Sequence, residues 1–434
     1  MATRDPRRRT GNDRCPAGLQ HEVGRAHSCG ASKDIAHRAA GRAGGAHPSR
    51  GNVVTHWHLE CSACSHQLPG SSLATVCPEC GQPYLVRYDM PAPRRDAIAS
   101  RWDMWRYRAI MPVLADEEPV SLGEGATPIQ EFPALARELG VRRLWVKDEG
   151  LNPTASFKAR GMSAAVTRAA GHKVPGLVVP TAGNAGAALT AYAAAAGLPV
   201  RVYAPASTPK PILDTIVALG ADLHLVGGHI GDAGKQAKAF AAESGYFDVS
   251  TLREPYRIEG KKTMGIEVAE QLGWRLPTHI VYPTGGGTGL IGMWKVFAEL
   301  KAYGWLAPSE AFPHMVVAQA EGCAPMVRAF HDGADRATAW QHPQTYASGL
   351  RVPGPLGDRL ILRALRESDG HAHAVSDDAI RVATARLAKA SGIDVCPEGG
   401  CAFAVTEQLA AAGRIPRDAE VVVFNTGSGA SYRF

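Results

Sequence analysis

The sequence lacks any apolar run close to the roughly 20 residues needed to span a bilayer, so a transmembrane protein is not expected. The first residues, MATRDPRRRT, have no apolar core segment, and a secretory signal is not expected either. These two absences predict a cytoplasmic protein without a membrane partner. At 434 residues, with 45% hydrophobic and 20% charged residues, the chain is long enough to bury two substantial cores.

The larger part of the chain also lacks an excess of positive charge. The formal net charge is +6, but residues 1–50 hold ten of the 47 lysines and arginines and only four of the 41 acidic residues. The remaining chain therefore carries 37 charged residues of each sign. A nucleic-acid-binding domain needs a basic surface to contact phosphates. The neutral body predicts no nucleic-acid partner.

Residues 1–55 lack hydrophobic periodicity and are biased toward arginine, glycine, alanine and histidine. Such a composition offers little apolar surface for a core. We expect a disordered segment, or an extension upstream of a true translation start near Val53 or Val54. A transit peptide fits less well because this segment contains four acidic residues.

Four cysteines, Cys61, Cys64, Cys77 and Cys80, form two C-x-x-C pairs separated by twelve residues. Four thiolates at this spacing can surround a metal ion, which then stabilises a segment too short for a large hydrophobic core. We predict a ribbon with structural Zn²⁺ over residues 56–90. A disulfide pair and a metal-free relic are the alternatives. Three nearby histidines are other candidate ligands: His56, His58 and His66.

From about residue 91 onward, apolar strands alternate with amphipathic helices. GLVVPT leads into GNAGAALTAYAAAAG, and PVRVYAP leads into PILDTIVALG. This β-then-α repetition implies parallel strands joined by helical crossovers. The sequence therefore predicts an α/β fold, whose ligands bind at the carboxyl edge of a sheet.

One lysine, Lys158, lies in the segment NPTASFKARGM between a turn and an expected helix start. A lysine so placed is a candidate covalent catalyst. The alternative is an ordinary solvated lysine on a capped helix. A second turn, PTAGNAG, places Asn184 where a strand ends and an alanine-rich helix begins. For this asparagine, a simple helix cap is the alternative.

Two further glycine-rich turns follow apolar strands. PTGGGTGLIG precedes a helix, so its backbone N–H groups and the helix N-terminus can hold a phosphate. It also satisfies the dinucleotide pattern G-x-G-x-x-G, but Glu321 lies about thirty residues downstream where about twenty is usual. NTGSGASY carries two hydroxyl groups, Thr426 and Ser428, in one turn that could also be purely structural.

The order of lysine, asparagine turn, glycine loop and terminal hydroxyl resembles the tryptophan synthase β superfamily of pyridoxal phosphate (PLP) enzymes, over about residues 120–434. The ribbon, SFKARGM and RIEGKKT resemble the threonine synthase family in particular. This resemblance implies PLP fold type II, with two open, twisted, mainly parallel sheet domains after the ribbon.

The same resemblance implies a division of the catalytic region, residues 91–434. A smaller α/β domain is expected at about 163–262. A larger PLP-binding domain is expected from 91–162 together with 263–434.

The resemblance also implies roles for individual residues. Lys158 holds PLP as a Schiff base, and Asn184 hydrogen-bonds the phenolic oxygen of the cofactor. Thr426, or Ser428 in its place, contacts the pyridine nitrogen. The cofactor phosphate lies against the glycine loop: Gly285, Gly286, Gly287, Thr288 and Gly289.

The implied activity is a lyase reaction of threonine biosynthesis that converts O-phospho-L-homoserine and water to L-threonine and phosphate, in a homodimer. A phosphorylated amino-acid substrate needs cationic and hydroxyl contacts. The candidates are Arg160, Thr181, Arg257 and Lys261, with Lys262 as an alternative to Lys261.

Two other functions stay open. Ala159 and Ala185 stand where the family usually has an acidic residue and a hydroxyl residue. Another fold type II enzyme is therefore an alternative, such as a serine/threonine dehydratase, a diaminopropionate ammonia-lyase or a specialised-pathway synthase. A non-enzymatic zinc-ribbon adaptor that binds a ligand is the third possibility.

Overall fold

The computed structural model describes residues 56–89 and 93–433. The extension predicted over residues 1–55 lies outside the described residues. Strands form where β-branched and apolar residues run together, and two of them, His279–Pro283 and Glu420–Asn425, are buried along their whole length. The strands are β1 (Trp57–Cys61), β2 (Gln67–Pro69), β3 (Tyr84–Tyr88), β4 (Ile129–Glu131), β5 (Arg143–Asp148), β6 (Leu177–Pro180), β7 (Val200–Pro205), β8 (Asp222–Val226), β9 (Phe247–Asp248), β10 (His279–Pro283), β11 (His314–Ala320), β12 (His371–Val375) and β13 (Glu420–Asn425).

The helix Asp377–Ser391 begins and ends at recognisable capping residues. The Ser376 hydroxyl accepts from the N–H of Ala379 at 3.2 Å, and Gly392, with φ of +73°, ends the same helix. The helices are α1 (Pro133–Leu139), α2 (Lys158–Gly171), α3 (Asn184–Ala195), α4 (Lys210–Ala218), α5 (Ile230–Ser244), α6 (Tyr256–Gln271), α7 (Thr288–Ala302), α8 (Pro325–His331), α9 (Asp358–Glu367), α10 (Asp377–Ser391) and α11 (Pro397–Ala411). Short 3-10 helices occupy Arg95–Ala97, Met104–Ile110, Glu149–Leu151, Pro153–Ala155, Ser348–Leu350 and Gly429–Tyr432.

The ribbon is a three-stranded antiparallel sheet in the order β2-β1-β3. Trp57 pairs with Tyr88 at one end of the β1–β3 ladder, and Cys61 pairs with Tyr84 at the other. The apolar core of the ribbon is small and includes two of the four cysteines, Cys61 and Cys77. So small a core supplies little stability by itself.

The larger of the two remaining sheets has the strand order β12-β11-β10-β13-β5-β4. Its strands are parallel except β4, which runs antiparallel to β5. One face packs against α6, α7 and α9 through residues such as Met264 and Leu290. The other face packs against α1, α10 and α11 through residues such as Ile380 and Phe403. Burial on both faces explains the nearly continuous apolar character of these strands.

The smaller sheet has the order β8-β7-β6-β9, with all strands parallel. Its strands lie inside the range 163–262 that was predicted for the smaller domain. However, α2 begins before residue 163, and α6 continues across residue 262. The division into domains at these residues stays a prediction.

The prediction of an α/β fold with two mainly parallel sheets is confirmed. Parallel strands end at the same edge of a sheet, and that edge is where ligands bind in such folds. Glycine-rich turns follow β6, β10 and β13 directly. Within the described residues, no helix combines the length and apolar character required to cross a membrane.

Candidate active site

A cavity of about 640 Å³ lies where the turns after β6, β10 and β13 come together. It is lined by Lys158, Asn184, Thr426 and the whole loop from Gly285 to Gly289. A volume in this range suits a small-molecule ligand. The structure thus brings residues from four widely separated segments to one cavity.

Lys158 is the first residue of α2, as its segment predicts. Its Nζ lies 3.8 Å from the centre of the Phe157 ring. Burial and the nearby Arg257 guanidinium lower the pKa of Lys158 to about 8, although Glu398 acts in the opposite direction. A larger share of this amine is therefore neutral and nucleophilic near neutral pH than of an ordinary lysine.

The turn after β6 is held together by Thr181. The Thr181 hydroxyl donates to the Gly183 carbonyl at 2.7 Å and accepts from the N–H groups of Gly183 and Gly186, both at 3.1 Å. These bonds fix the start of α3, where Asn184 is the first residue. Both Thr181 and Asn184 line the cavity, but the Thr181 hydroxyl is already engaged within the turn.

The turn after β10 leads into α7, which begins at Thr288. Gly287 has φ of +79°, a left-handed conformation that favours glycine. A Cβ atom on Gly286 would lie 2.7 Å from Cγ2 of Thr251, so a side chain does not fit there. The backbone of this loop lines the cavity, and together with the positive N-terminal end of α7 it forms a cradle for an anion.

Lys261 reaches this cradle through Thr288. Its Nζ donates to the Thr288 hydroxyl at 2.6 Å, and its side chain is fully buried. Burial, with Arg257 and Lys158 nearby, lowers the pKa of Lys261 well below its ordinary value. Three basic side chains close together in a buried region disfavour one another's charged forms, and an anionic ligand between them would offset this repulsion.

The two hydroxyls of the C-terminal turn have different surroundings. Thr426 lines the cavity, and its hydroxyl lies 3.9 Å from the Cys396 sulfur. The Ser428 hydroxyl donates to the Asp394 carboxylate and accepts from the N–H of Ala430, so it is used in the turn itself. The structure therefore favours Thr426 over Ser428 as the group that can meet a ligand.

The lining of the cavity is strongly cationic. Six lysine and arginine side chains face one carboxylate, Glu398, among the described residues. The Glu398 carboxylate accepts from the Gly349 N–H at 2.8 Å and from the Tyr432 hydroxyl at 2.9 Å. The six cationic residues are Lys158, Lys235, Lys238, Arg253, Arg257 and Arg351.

Arg257 is a deeply buried member of this group, with 1% of its surface exposed. Its Nη1 donates to the Val249 carbonyl at 2.7 Å, but its Nε has no hydrogen-bond partner among the described residues. The Glu254 carboxylate is 3.9 Å from that Nε. Burial lowers the pKa of Arg257, and burial raises the pKa of Glu254 to about 7. An unsatisfied buried donor in a cavity wall is costly unless a ligand supplies an acceptor.

Arg160 requires a correction. Its guanidinium is fully buried in a cluster with Glu149 and Glu267, at 2.7 and 2.6 Å, away from the cavity lining. Lys262 is likewise buried and paired, with Glu259 and Glu299. We therefore remove Arg160 and Lys262 from the candidate substrate contacts.

The two departures from the family pattern also differ in position. Ala159 is fully buried in the core of the smaller sheet and does not line the cavity, whereas Ala185 does line it.

Several residues of the cavity lining belong to no sequence motif that could have identified them, because they come from loops or from the exposed face of α5. These residues are Lys235, Lys238, Arg253 and Arg351. Glu398 lies in CPEGGCAF, whose proline marks a helix start but indicates no ligand contact.

The four ribbon cysteines lie together at the second candidate site. Their Sγ atoms are all within 4.8 Å of one another, with separations of 3.4 to 3.6 Å along Cys61–Cys80–Cys64–Cys77. These separations exceed the roughly 2.05 Å of a disulfide. They approach the edge of about 3.8 Å expected for four thiolates around Zn²⁺. His58 and His66 are instead hydrogen-bonded to Asp89 and Tyr84.

Comparisons with known proteins agree with this geometry. Residues 120–427 match the family described as pyridoxal-phosphate dependent enzyme. Threonine synthase of Methanosarcina acetivorans is 34% identical over 377 residues, which cover 86% of this chain and 91% of that protein. Threonine synthase of Methanocaldococcus jannaschii is 35% identical over 327 residues, which cover 75% and 80%.

Solved structures show the same fold. Maize serine racemase superposes with a TM-score of 0.61 at 21% identity, covering 70% of this chain and 88% of that one. Threonine deaminase isoform 2 from Solanum lycopersicum, in its processed form, superposes with a TM-score of 0.59 at 21% identity, covering 70% and 79%. These proteins support the prediction of PLP fold type II.

The cavity also fits the cofactor that the family implies. A lysine with a lowered pKa can meet an aldehyde, and the glycine cradle can meet a phosphate. The family match favours this cofactor over a dinucleotide, and an enzyme over an adaptor. By its matched family, its relatives and its fold, the chain belongs to the pyridoxal-phosphate dependent enzymes and, within them, to the lyases of the threonine synthase family.

Proposed function

We propose that this enzyme converts O-phospho-L-homoserine and water to L-threonine and phosphate. The observation that carries the proposal is that five lysine and arginine side chains besides Lys158 line the cavity wall, against one carboxylate. The cofactor phosphate accounts for part of this charge. A substrate with a carboxylate and a second phosphate accounts for the rest, whereas serine or threonine brings no phosphate.

We propose that Lys158, Asn184, the loop Gly285–Gly289 and Thr426 hold PLP in this cavity. Support comes from their shared position and from the link between Lys261 and Thr288 beneath the glycine cradle. When bound, PLP supplies an electron sink for negative charge at the substrate Cα. Lys158 then serves as the base that removes the Cα proton, a role helped by its lowered pKa.

Arg257 is the strongest candidate to hold the leaving phosphate. Its unsatisfied Nε and its burial support this role, because a charge-assisted hydrogen bond is stronger where water is excluded. Arg253 and Arg351 line the same cavity and add to the field that attracts a dianion. Thr181, by contrast, supports substrate binding only through the turn that it holds.

The deciding experiment measures phosphate release from O-phospho-L-homoserine by the purified enzyme, with L-homoserine as the matched substrate that lacks phosphate. L-serine, L-threonine and diaminopropionate are tested in parallel for ammonia release. We expect phosphate release and threonine formation in equal amounts. Activity confined to serine, threonine or diaminopropionate would refute the proposal and favour another fold type II reaction.

Replacing Arg257 by glutamine should raise KM for O-phospho-L-homoserine by about 10- to 100-fold, since a hydrogen bond to a charged group contributes about 1.5–3 kcal/mol. Steady-state kinetics measure the effect, and the PLP absorbance should persist. Arg201→Gln is the matched control, because Arg201 pairs with Asp222 on the small sheet and does not line the cavity. An unchanged KM in the Arg257 variant would remove Arg257 from the substrate site.

The rate at which the apoprotein takes up PLP should rise with pH around a midpoint near 8, because the pKa of Lys158 is lowered to about 8. Below this pH the amine is protonated and cannot attack the aldehyde. An ordinary lysine would give a midpoint near about 10.4. Stopped-flow absorbance measures the rate, and Arg257→Gln should move the midpoint upward. A midpoint above about pH 10 in the unaltered protein would contradict the assignment.

We also propose that Cys61, Cys64, Cys77 and Cys80 bind one structural Zn²⁺, which their thiol-only composition and their separations support. Atomic absorption should find one zinc per chain. Cys64→Ser should lower this below about 0.1 and make the ribbon sensitive to proteases, because the metal supplies most of its stability. Cys401→Ala, at a buried cysteine of α11, should keep the full zinc content. Full zinc content in the Cys64 variant would contradict the ligand set.

We also propose a cytoplasmic location and a homodimeric assembly. Buried free thiols at Cys323, Cys396 and Cys401 fit a reducing compartment such as the cytoplasm. A homodimer is proposed from the family resemblance alone.

A further inference from the structure

Helix α6 has different partners on two of its faces. Arg257 lines the cavity, and Lys261, one turn later, bonds Thr288 at the base of the glycine cradle. Tyr256, Glu259 and Lys262 recur every three residues and contact the ribbon instead. Residues three or four apart share one face of a helix. The helix therefore lies between the ribbon and the ligand site.

The contact from the ribbon centres on Tyr88, the last residue of β3. Its hydroxyl donates to Glu259 at 2.6 Å and accepts from the Lys262 Nζ at 3.0 Å. The Lys262 ammonium also lies 4.1 Å from the centre of the Tyr88 ring. Glu259 and Lys262 are fully buried, so this polar contact forms away from water and has a defined geometry.

A second contact holds the first turn of the helix. The Tyr256 hydroxyl donates to the carbonyl of Ser72 in the ribbon at 2.6 Å. The ribbon therefore contacts α6 at two places. One is Tyr256, before Arg257 in the sequence, and the other is Glu259 with Lys262, after it. The strands of the ribbon are hydrogen-bonded to one another over three and five residue pairs, so the ribbon contacts α6 from a defined sheet.

Helix α6 is also packed tightly against the two helices that begin at the cavity. A Cβ atom on Gly161 of α2 would lie 2.9 Å from Cε of Lys261. A Cβ atom on Gly292 of α7 would lie 3.0 Å from the carbonyl oxygen of Ile258. Such contacts leave no free space, so a shift of α6 must displace Lys261 relative to Thr288.

We propose that Tyr88 is a positioning residue, through which the ribbon holds Lys261 and Arg257 at the anion-binding end of the cavity. This inference rests on the proposed binding of PLP in that cavity. It explains why a ribbon without cavity residues accompanies the catalytic region: the ribbon sets the position of two buried basic side chains that lie on one helix. Its effect should therefore depend on the phosphate of the ligand.

The test compares two ligands, PLP and pyridoxal, which differ only in the phosphate. Each is titrated into the metal-loaded apoprotein, and the Lys158-dependent absorbance gives its affinity. Tyr88→Phe removes one hydroxyl and keeps the ring. We expect Tyr88→Phe to bind PLP about fivefold more weakly, which is a small effect for coupling between two separate sites of a protein. The binding of pyridoxal should be unchanged.

Tyr84→Phe is the matched control, because Tyr84 lies in the same strand and its hydroxyl is bonded to His66 within the ribbon. It should leave the affinity for both ligands unchanged. Zinc content is measured in every variant to show that the ribbon is intact.

The outcomes distinguish a failure of the proposed function from a failure of the role of Tyr88 alone. If the unaltered protein shows no Lys158-dependent absorbance with either ligand, the proposed function fails, and this inference fails with it. If PLP binds the unaltered protein but Tyr88→Phe binds it equally well, only the role of Tyr88 is overturned. Equal weakening of PLP and pyridoxal also overturns it, because that result reflects a general loss of stability.

Discussion

Replacing Lys158 by alanine is expected to abolish the visible absorbance of bound PLP and to lower turnover by at least about 10³-fold. The variant loses both the amine that binds the aldehyde and the base at the substrate Cα. Alanine suits the first turn of α2 and leaves Phe157 and Arg257 in place, so the fold should persist. Far-UV circular dichroism checks the fold, and absorbance spectra with steady-state kinetics check the loss.

Lys210→Ala is the matched control for this experiment. Lys210 is also the first residue of a helix, α4, but it is exposed and pairs with Asp214 one turn later. Loss of such a surface pair changes stability by less than about 1 kcal/mol. The control should keep the full absorbance and activity. A Lys158 variant that retained the PLP absorbance would identify another lysine as the point of attachment.

Replacing Glu267 by leucine is expected to lower the free energy of unfolding by about 3–5 kcal/mol. The Glu267 carboxylate accepts from Arg160 and Lys147 at 2.6 and 2.7 Å, and all three side chains are buried. Burial alone would raise its pKa, but Arg160 and Lys147 lower it to about 2. The variant leaves one buried positive charge without a negative partner. An uncompensated buried charge strongly destabilises the folded state.

Urea unfolding followed by tryptophan fluorescence measures this change. Glu138→Leu is the control, because Glu138 forms an exposed pair with Arg386, and its loss should lower the free energy of unfolding by less than about 1 kcal/mol.

The pH dependence of the free energy of unfolding gives a second check. A carboxyl with a lowered pKa stabilises the fold above its unfolded value of about 4.3, and that stability is lost as the pH falls toward about 2. The Glu267 variant should lose less stability over this range. Equal losses in the Glu267 and Glu138 variants would contradict a buried network.

Much of the fold followed from local patterns. Runs such as GLVVPT before GNAGAALTAYAAAAG predicted a strand followed by a helix, and β6 and α3 lie there. Lys158 was expected at a helix start and is the first residue of α2. These features could be predicted because apolar periodicity, glycine and proline act within a few residues. The two-domain boundaries stay a prediction, and α6 runs across residue 262.

The candidate substrate contacts were harder to predict because they depend on side-chain direction. Arg160 is two residues from Lys158, and residues two apart on a helix point to different sides. Lys158 therefore reaches the cavity, whereas Arg160 enters the buried cluster with Glu149 and Glu267. Thr426 and Ser428 are also two residues apart, and only Thr426 lines the cavity.

By itself, the sequence determined the chemical groups that this protein can offer: a lysine at a helix start, an asparagine turn, a glycine loop before a helix and a cluster of four thiols. Each of these depends on neighbours within a short stretch of chain. Only the tertiary structure decided which basic side chains line the cavity and which helix the ribbon contacts. Arg253, Arg257 and Arg351 meet at the cavity, and Tyr88 meets Glu259, through contacts between residues far apart in the sequence. Such contacts are set by the packing of helices and sheets against one another, for which local periodicity contains no signal.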